Sequence, residues 1–244
     1  AGRGDDHTMT ENAHPTPDEF DGWLLQLRAE RPAVGALWDT ILSQPALRGL
    51  AWALAQAYEV IAAALARDGT LYLCGNGGSY CDALHISGEL LKAFVLPRPV
   101  SADLAERLKA QPDGAELAQH LQTGLRAHVL GGNTALASAV ANDIPMPGIG
   151  YAQELYALAR PGDVFLGIST SGKARNVRLA AQVAAAMGLT TIALTGRAPN
   201  PLADLADLTL CVPCSRTDQV QELHQVLYHR LCLMLEARFV ETWA

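Results

Sequence analysis

The chain has no apolar run long enough to cross a bilayer. Its longest candidate, GLAWALAQAYEVIAAALA (49–66), is broken by Gln56 and Glu59 and reads as a mostly buried amphipathic helix. No basic, apolar and small-residue leader pattern opens the sequence, so the expected compartment is the cytoplasm. Positive charge is also scarce. Eighteen Lys and Arg stand against 25 Asp and Glu, a formal net charge of −7. That balance argues against a general binder of nucleic acid or acidic membrane, since either needs a basic surface. An anionic small substrate would need a locally arranged site. Cysteine is sparse: five residues, odd in number and scattered, which fits a reducing compartment. CVPC (211–214) has CxxC spacing but follows a strand-like run and lacks a second pair, so it is given no redox or metal role.

What is present suffices for one sizeable core. Half of the 244 residues are apolar and 18% are charged, which suits a single large domain. Residues 1–17, AGRGDDHTMTENAHPTP, are polar and read as a mobile tail ahead of a domain over 18–244. Helical patterns cover about 18–30, 33–45 and 47–67, the last stopped by RDG. The rhythm then changes to strand, loop, helix. TLYLC (70–74), DVFLGIS (163–169), LTTIALT (189–195) and LTLCVP (208–213) are short apolar runs separated by helical stretches, the final one at about 217–238. The pattern predicts an α/β fold: a three-layer α/β/α sandwich around a parallel sheet, with ligand loops at the carboxyl ends of the strands. A polar, helix-prone stretch at about 100–125 reads as a helical insertion, either a solvated surface hairpin or a lid or oligomer contact.

Two of the strand-to-helix loops suit an anion. In GNGGS (75–79) glycines permit close backbone approach, the N–H groups of a helix start favour negative charge, and Asn76 and Ser79 add donors. STSG (169–172) sets three hydroxyls, those of Ser169, Thr170 and Ser171, at a strand end before another helix. Neither loop is a dinucleotide or Walker pattern. Together they favour a phosphosugar. Downstream of the first loop, His85 and Glu89 share one helix face. A second helix carries Gln221, His224 and His229, with Asp218 before them. Imidazole, carboxylate and amide oxygen suit a divalent ion, zinc best of all.

CGNGGSYCDALHISGEL, NDI (142–144), GDVFLGISTSG (162–172), TIALTG (191–196) and DQVQELHQVLYH (218–229) together resemble the sugar isomerase (SIS) domain. Within it, the pairing of CDALHISGE with DQVQELHQVLYH is similar to the phosphoheptose isomerases. The resemblance implies a flavodoxin-like, Rossmann-like fold and a homotetramer with active sites at subunit interfaces. It also implies one zinc per site, held by His85, Glu89, Gln221 and His229. His224 matches a motif position but is assigned no ligand role. In an aldose–ketose isomerisation through an enediol, the resemblance makes Glu89 the base and His229 the acid. Asp82 is then a catalytic-site residue that orients hydroxyls or tunes its neighbours. Substrate contacts fall to Asn76, Gly77, Gly78, Ser79, Asn133, Asn142, Asp143, Ser169, Thr170, Ser171, Lys173, Asp218 and Gln221. The implied substrate is a phosphorylated sugar, sedoheptulose 7-phosphate, converted to D-glycero-D-manno-heptose 7-phosphate at the head of nucleotide-activated heptose synthesis. Neither nucleic acid nor membrane is an expected partner.

Helix geometry complicates the ligand set. Gln221 and His229 are eight residues apart, about 12 Å and about 80° around an ideal helix. Either Gln221 lies in a frayed first turn or the site is shared between subunits. Three positions depart from the family: Tyr80 replaces the usual His, Asn133 an Asp, and Ala174 the third loop serine. Lys173 or Arg175 would then supply the missing phosphate contact. Two other readings stand beside the enzyme. One is a non-catalytic SIS tetramer that binds a protein such as the replication initiator, which would have no reason to keep four ligands with Glu and His. The other is an amino-sugar phosphate isomerase or etherase, which would not need both motifs.

Overall fold

The structure, a computed structural model, describes residues 16–243. The tail expected over 1–17 lies outside it except for its last two residues, which start a helix. Prolines mark the first three helix starts, where a fixed φ is preorganised and a missing N–H costs nothing. They open α1 (Pro17–Glu30), α2 (Pro32–Leu42) and α3 (Pro45–Arg48). Thr16 and Glu19 form a reciprocal capping box at α1. The remaining order is α4 (Ala51–Leu65), β1 (Leu71–Cys74), α5 (Gly78–Leu91), α6 (Ala102–Leu108), α7 (Gly114–His120), β2 (Ala127–Val129), α8 (Thr134–Asp143), α9 (Gly150–Leu158), β3 (Val164–Ser169), α10 (Arg175–Ala186), β4 (Thr190–Thr195), β5 (Leu208–Cys211) and α11 (Thr217–Trp243). Among the described residues no helix is long and apolar enough to cross a membrane.

All strand pairs are parallel, in the order β2-β1-β3-β4-β5. Alternation along each strand divides the core into two layers. Leu71, Leu73, Val164, Leu166, Ile168, Ile192 and Leu194 face α4, α5 and α11, and α2 packs behind them. Tyr72, Cys74, Phe165 and Ala193 face α9 and α10. The expected three-layer sandwich is therefore the observed fold. Gly167 sits in mid-strand because a Cβ there would press on Val177 of α10 and on Phe165. β2 has only three residues, too few to show a period, and the sequence reading passed over it. The stretch at 100–125 contains two short helices, α6 and α7, packed on each other.

α5 and α11 run side by side in the same direction, and their far ends are tied by a buried ion pair. Arg98, 1% exposed, donates from Nε to Glu236 Oε1 at 2.9 Å, and Glu236 is 0% exposed. Glu236 also accepts the backbone N–H groups of Phe94, Val95 and Leu96 at 2.7, 2.9 and 3.1 Å. The other guanidinium nitrogens donate to the carbonyls of Leu90 (2.8 Å) and Glu89 (3.0 Å), closing the end of α5. Burial alone would raise the Glu236 pKa. The three backbone donors and Arg98 outweigh it and hold the group below its ordinary value.

Removing that charge by Glu236→Gln should cost about 3–5 kcal/mol near neutral pH, because it leaves Arg98 buried without a counter-charge. A depressed folded-state pKa means that the ionised group stabilises fully above its unfolded value and loses that contribution as pH falls through the folded value. Urea denaturation between pH 7 and pH 3 checks this: the gap between wild type and variant should narrow on acidification.

Candidate active site

The two glycine loops lie at the carboxyl ends of β1 and β3, as parallel-sheet ligand loops should. Gly77 caps α5 with φ +54° and ψ −123°, a conformation that side chains rarely adopt. Gly78 serves packing as well, since a Cβ there would collide with the Gln221 amide. Gly172 bends the second loop at φ +65° and leaves room for Asn200.

The loops are stapled together. Asn76 and Asn176 exchange two amide hydrogen bonds, each 2.8 Å, and Tyr151 of α9 donates its hydroxyl to the Gly75 carbonyl at 2.6 Å. Sequence reasoning took Asn76 as a substrate donor and overlooked both partners. Asn176 is the second residue of α10, where an amide gave only a weak signal. Ser79 and Ser169 are buried, whereas Ser171 and Lys173 are exposed. The Ser171 hydroxyl accepts from the Lys173 N–H at 3.2 Å, and the Thr170 carbonyl accepts from the Gly196 N–H at 3.1 Å.

Two turns along α5, the polar side chains converge. His85 Nε2 lies 3.1 Å from Glu89 Oε1 and 3.5 Å from His229 Nε2. Its Nδ1 meets the Tyr228 hydroxyl at 3.1 Å, and that hydroxyl also reaches Asp82 Oδ1 at 3.4 Å. Tyr228 thus orients His85, a role the sequence did not reveal although the residue adjoins His229. Burial raises the Asp82 pKa against the pull of Tyr228 and His85, and Asp82 Oδ2 is buried without a partner. Burial, then the neighbouring His85, lowers the His229 pKa, opposed by Glu89.

The other expected residues lie apart from this cluster. Gln221 packs against Gly78 at the start of α5, seven residues before His85, or about 10 Å along the helix. Asp218 is exposed and pairs with Arg216 through two bonds of 2.7 Å. Asn133 caps α8 by accepting the Leu136 N–H at 3.0 Å, and Asn142 donates to Asp143 at 2.8 Å at the other end of that helix. His224 is 0% exposed. Neither of its ring nitrogens has a hydrogen-bond partner within normal limits, and burial pushes its pKa down to about 4.

His85, Glu89 and His229 suit a metal in donor chemistry. A zinc tetrahedron with bonds of about 2.05 Å has edges of about 3.3 Å, close to the two separations at His85 Nε2. A ligating imidazole also needs its other nitrogen held, as Tyr228 holds Nδ1. As they stand, however, no group of three or more His, Cys, Asp or Glu among the described residues is arranged to hold a metal ion.

The comparisons agree with this architecture. The SIS domain family matches twice, over residues 41–128 and 146–234. A phosphoheptose isomerase of Geotalea daltonii is 37% identical over 185 residues, 76% of this chain and 83% of that one. One from Geobacter sulfurreducens is 35% identical over 219 residues, 90% of this chain and 98% of its own. The chain belongs to the phosphoheptose isomerase family. It is an isomerase. Among solved structures, a phosphoheptose isomerase from Neisseria gonorrhoeae aligns over 88% of this chain and 98% of its own, with TM-score 0.60 and 28% identity. One from Francisella tularensis shares the fold at TM-score 0.61 and 24% identity, over 91% and 99%.

The staple between the loops gives a direct test. A double-mutant cycle of Asn76→Ala and Asn176→Ala should return a stability coupling of about 0.5–1 kcal/mol, since each single change removes both bonds.

Proposed function

We propose that the chain converts sedoheptulose 7-phosphate to D-glycero-D-manno-heptose 7-phosphate, or a closely related heptose 7-phosphate, opening a route to nucleotide-activated heptose. The observation that carries this reading is the meeting of His85, Glu89 and His229 along α5, the helix that the GNGGS loop opens. Glu89 is the base that takes the proton from one of the two carbons exchanging carbonyl and hydroxyl. His229 is the acid at the neighbouring oxygen. Its lowered pKa favours a neutral imidazole that donates through N–H, as suits an enediol-forming site. Asp82 acts through Tyr228, holding the His85 ring in one orientation. The STSG hydroxyls and Lys173 take the phosphate, and Asn76, Asn133, Asn142, Asp143 and Asp218 serve sugar hydroxyls.

Zinc held by His85, Glu89 and His229 would supply polarisation of the carbonyl, with ligand and base as two states of Glu89. Gln221 is the fourth ligand. Its position beside Gly78 supports donation from another copy of the chain, in keeping with a homotetramer whose sites lie between subunits. A cytoplasmic setting is part of the same reading.

Purified protein incubated with sedoheptulose 7-phosphate should yield the aldose, lose turnover with a chelator and regain it with zinc. No conversion by metal-replete protein would sink the proposal. Glu89→Gln should lower kcat by about 10²–10⁴-fold, and a variant at full rate would remove Glu89 as the base. Tyr228→Phe should weaken metal affinity by about 10–100-fold, read by competition with a chromogenic chelator.

A further inference from the structure

A second polar cavity of about 250 Å³ opens at the opposite end of the sheet, at the amino ends of β1 and β3. Three arginines surround it: Arg67 after α4, Arg126 before β2 and Arg160 before β3. Two are held in place without using a carboxylate. Arg126 Nε donates to Thr70 Oγ1 at 3.2 Å. Arg160 Nη1 donates to the carbonyls of Leu158 and Ala159 at 3.1 and 2.8 Å. Among the described residues no acidic side chain lies within ion-pair distance of any of the three.

The cavity's own carboxylates form no ion pair with them. Asp163 gives one oxygen to the Thr70 N–H at 2.8 Å and the other to the Arg160 N–H at 2.7 Å, so it is spent on the backbone. Asp68 is exposed on the rim in a left-handed conformation, φ +59°. Three guanidiniums thus face two carboxylates in a chain of net charge −7.

We propose that this cavity is a second anion site, distinct from the active site, and that it binds a small phosphate-bearing ligand. Planar guanidinium forks match phosphate oxygens in pairs, and partial fixing of Arg126 and Arg160 lowers the ordering cost of binding. The volume is below that of drug-sized pockets, so a diphosphate group or a small phosphorylated metabolite fits and a dinucleotide does not. Thr70 and Gly75 are five residues apart along β1, about 16 Å. A ligand here cannot share the substrate's phosphate loops and can influence them only through the strands.

Hydrogen exchange of the full chain with inorganic pyrophosphate, against sodium chloride at equal ionic strength, tests the site. Amides of 66–72 and 158–164 should gain protection in addition to those of 169–173. Arg126→Ala/Arg160→Ala should abolish the first set, leave the second, and weaken pyrophosphate binding at the amino-end site at least tenfold. Arg67→Ala, whose side chain makes no ion pair among the described residues, should give a smaller loss without a change in melting temperature, which keeps the test valid if the double variant unfolds. Protection confined to 169–173, equal protection by sodium chloride, or protection unchanged in both variants would overturn the proposal.

Discussion

The buried pair of Arg98 and Glu236 is the constraint on which the site's geometry rests. It accepts three N–H groups of the turn after α5 and donates to the Glu89 carbonyl and to that of Leu90, which also accepts the Leu125 N–H. A buried ion pair is a poor source of net stability when set against apolar packing of the same shape. Its value here is positional. At one end α5 and α11 are in register through Gly78 and Gln221, and at the other through Arg98 and Glu236. His85, Glu89 and His229 meet in the span between.

Much of this was legible in the sequence because the signals were periodic or paired. Four apolar runs between helical stretches were enough for a parallel three-layer fold. The HxxxE spacing on one helix and the imidazoles on another marked the two halves of a polar cluster, and the resemblance to the phosphoheptose isomerases joined them. The eight-residue gap from Gln221 to His229 was read as too long for one helix to bring both onto one ion unless its first turn frays. In the structure the two side chains do lie at different levels of α5.

What escaped the sequence were relationships set by tertiary contact. Glycine in GNGGS suggested room for a ligand, yet Gly78 makes room for Gln221. Asn76 and Asn133 carry amides that could serve a substrate, and the fold also employs them, one to join two loops and the other to cap α8. Tyr151 and Tyr228 act through single hydroxyls that no spacing rule could single out. The three residues of β2 needed the neighbouring β1 to become a strand.

The side-by-side course of α5 and α11 sets a limit on how such a chain can vary. Gly78 to His85 is seven residues and Gln221 to His229 is eight, so the two helices act as matched rulers. Adding or removing one residue inside either span would rotate everything beyond it by about 100° and part the imidazoles. The α6–α7 stretch, which bears no such register, is free to lengthen or shorten. Length variation among descendants of this fold should therefore collect outside these two spans, however far their side chains drift.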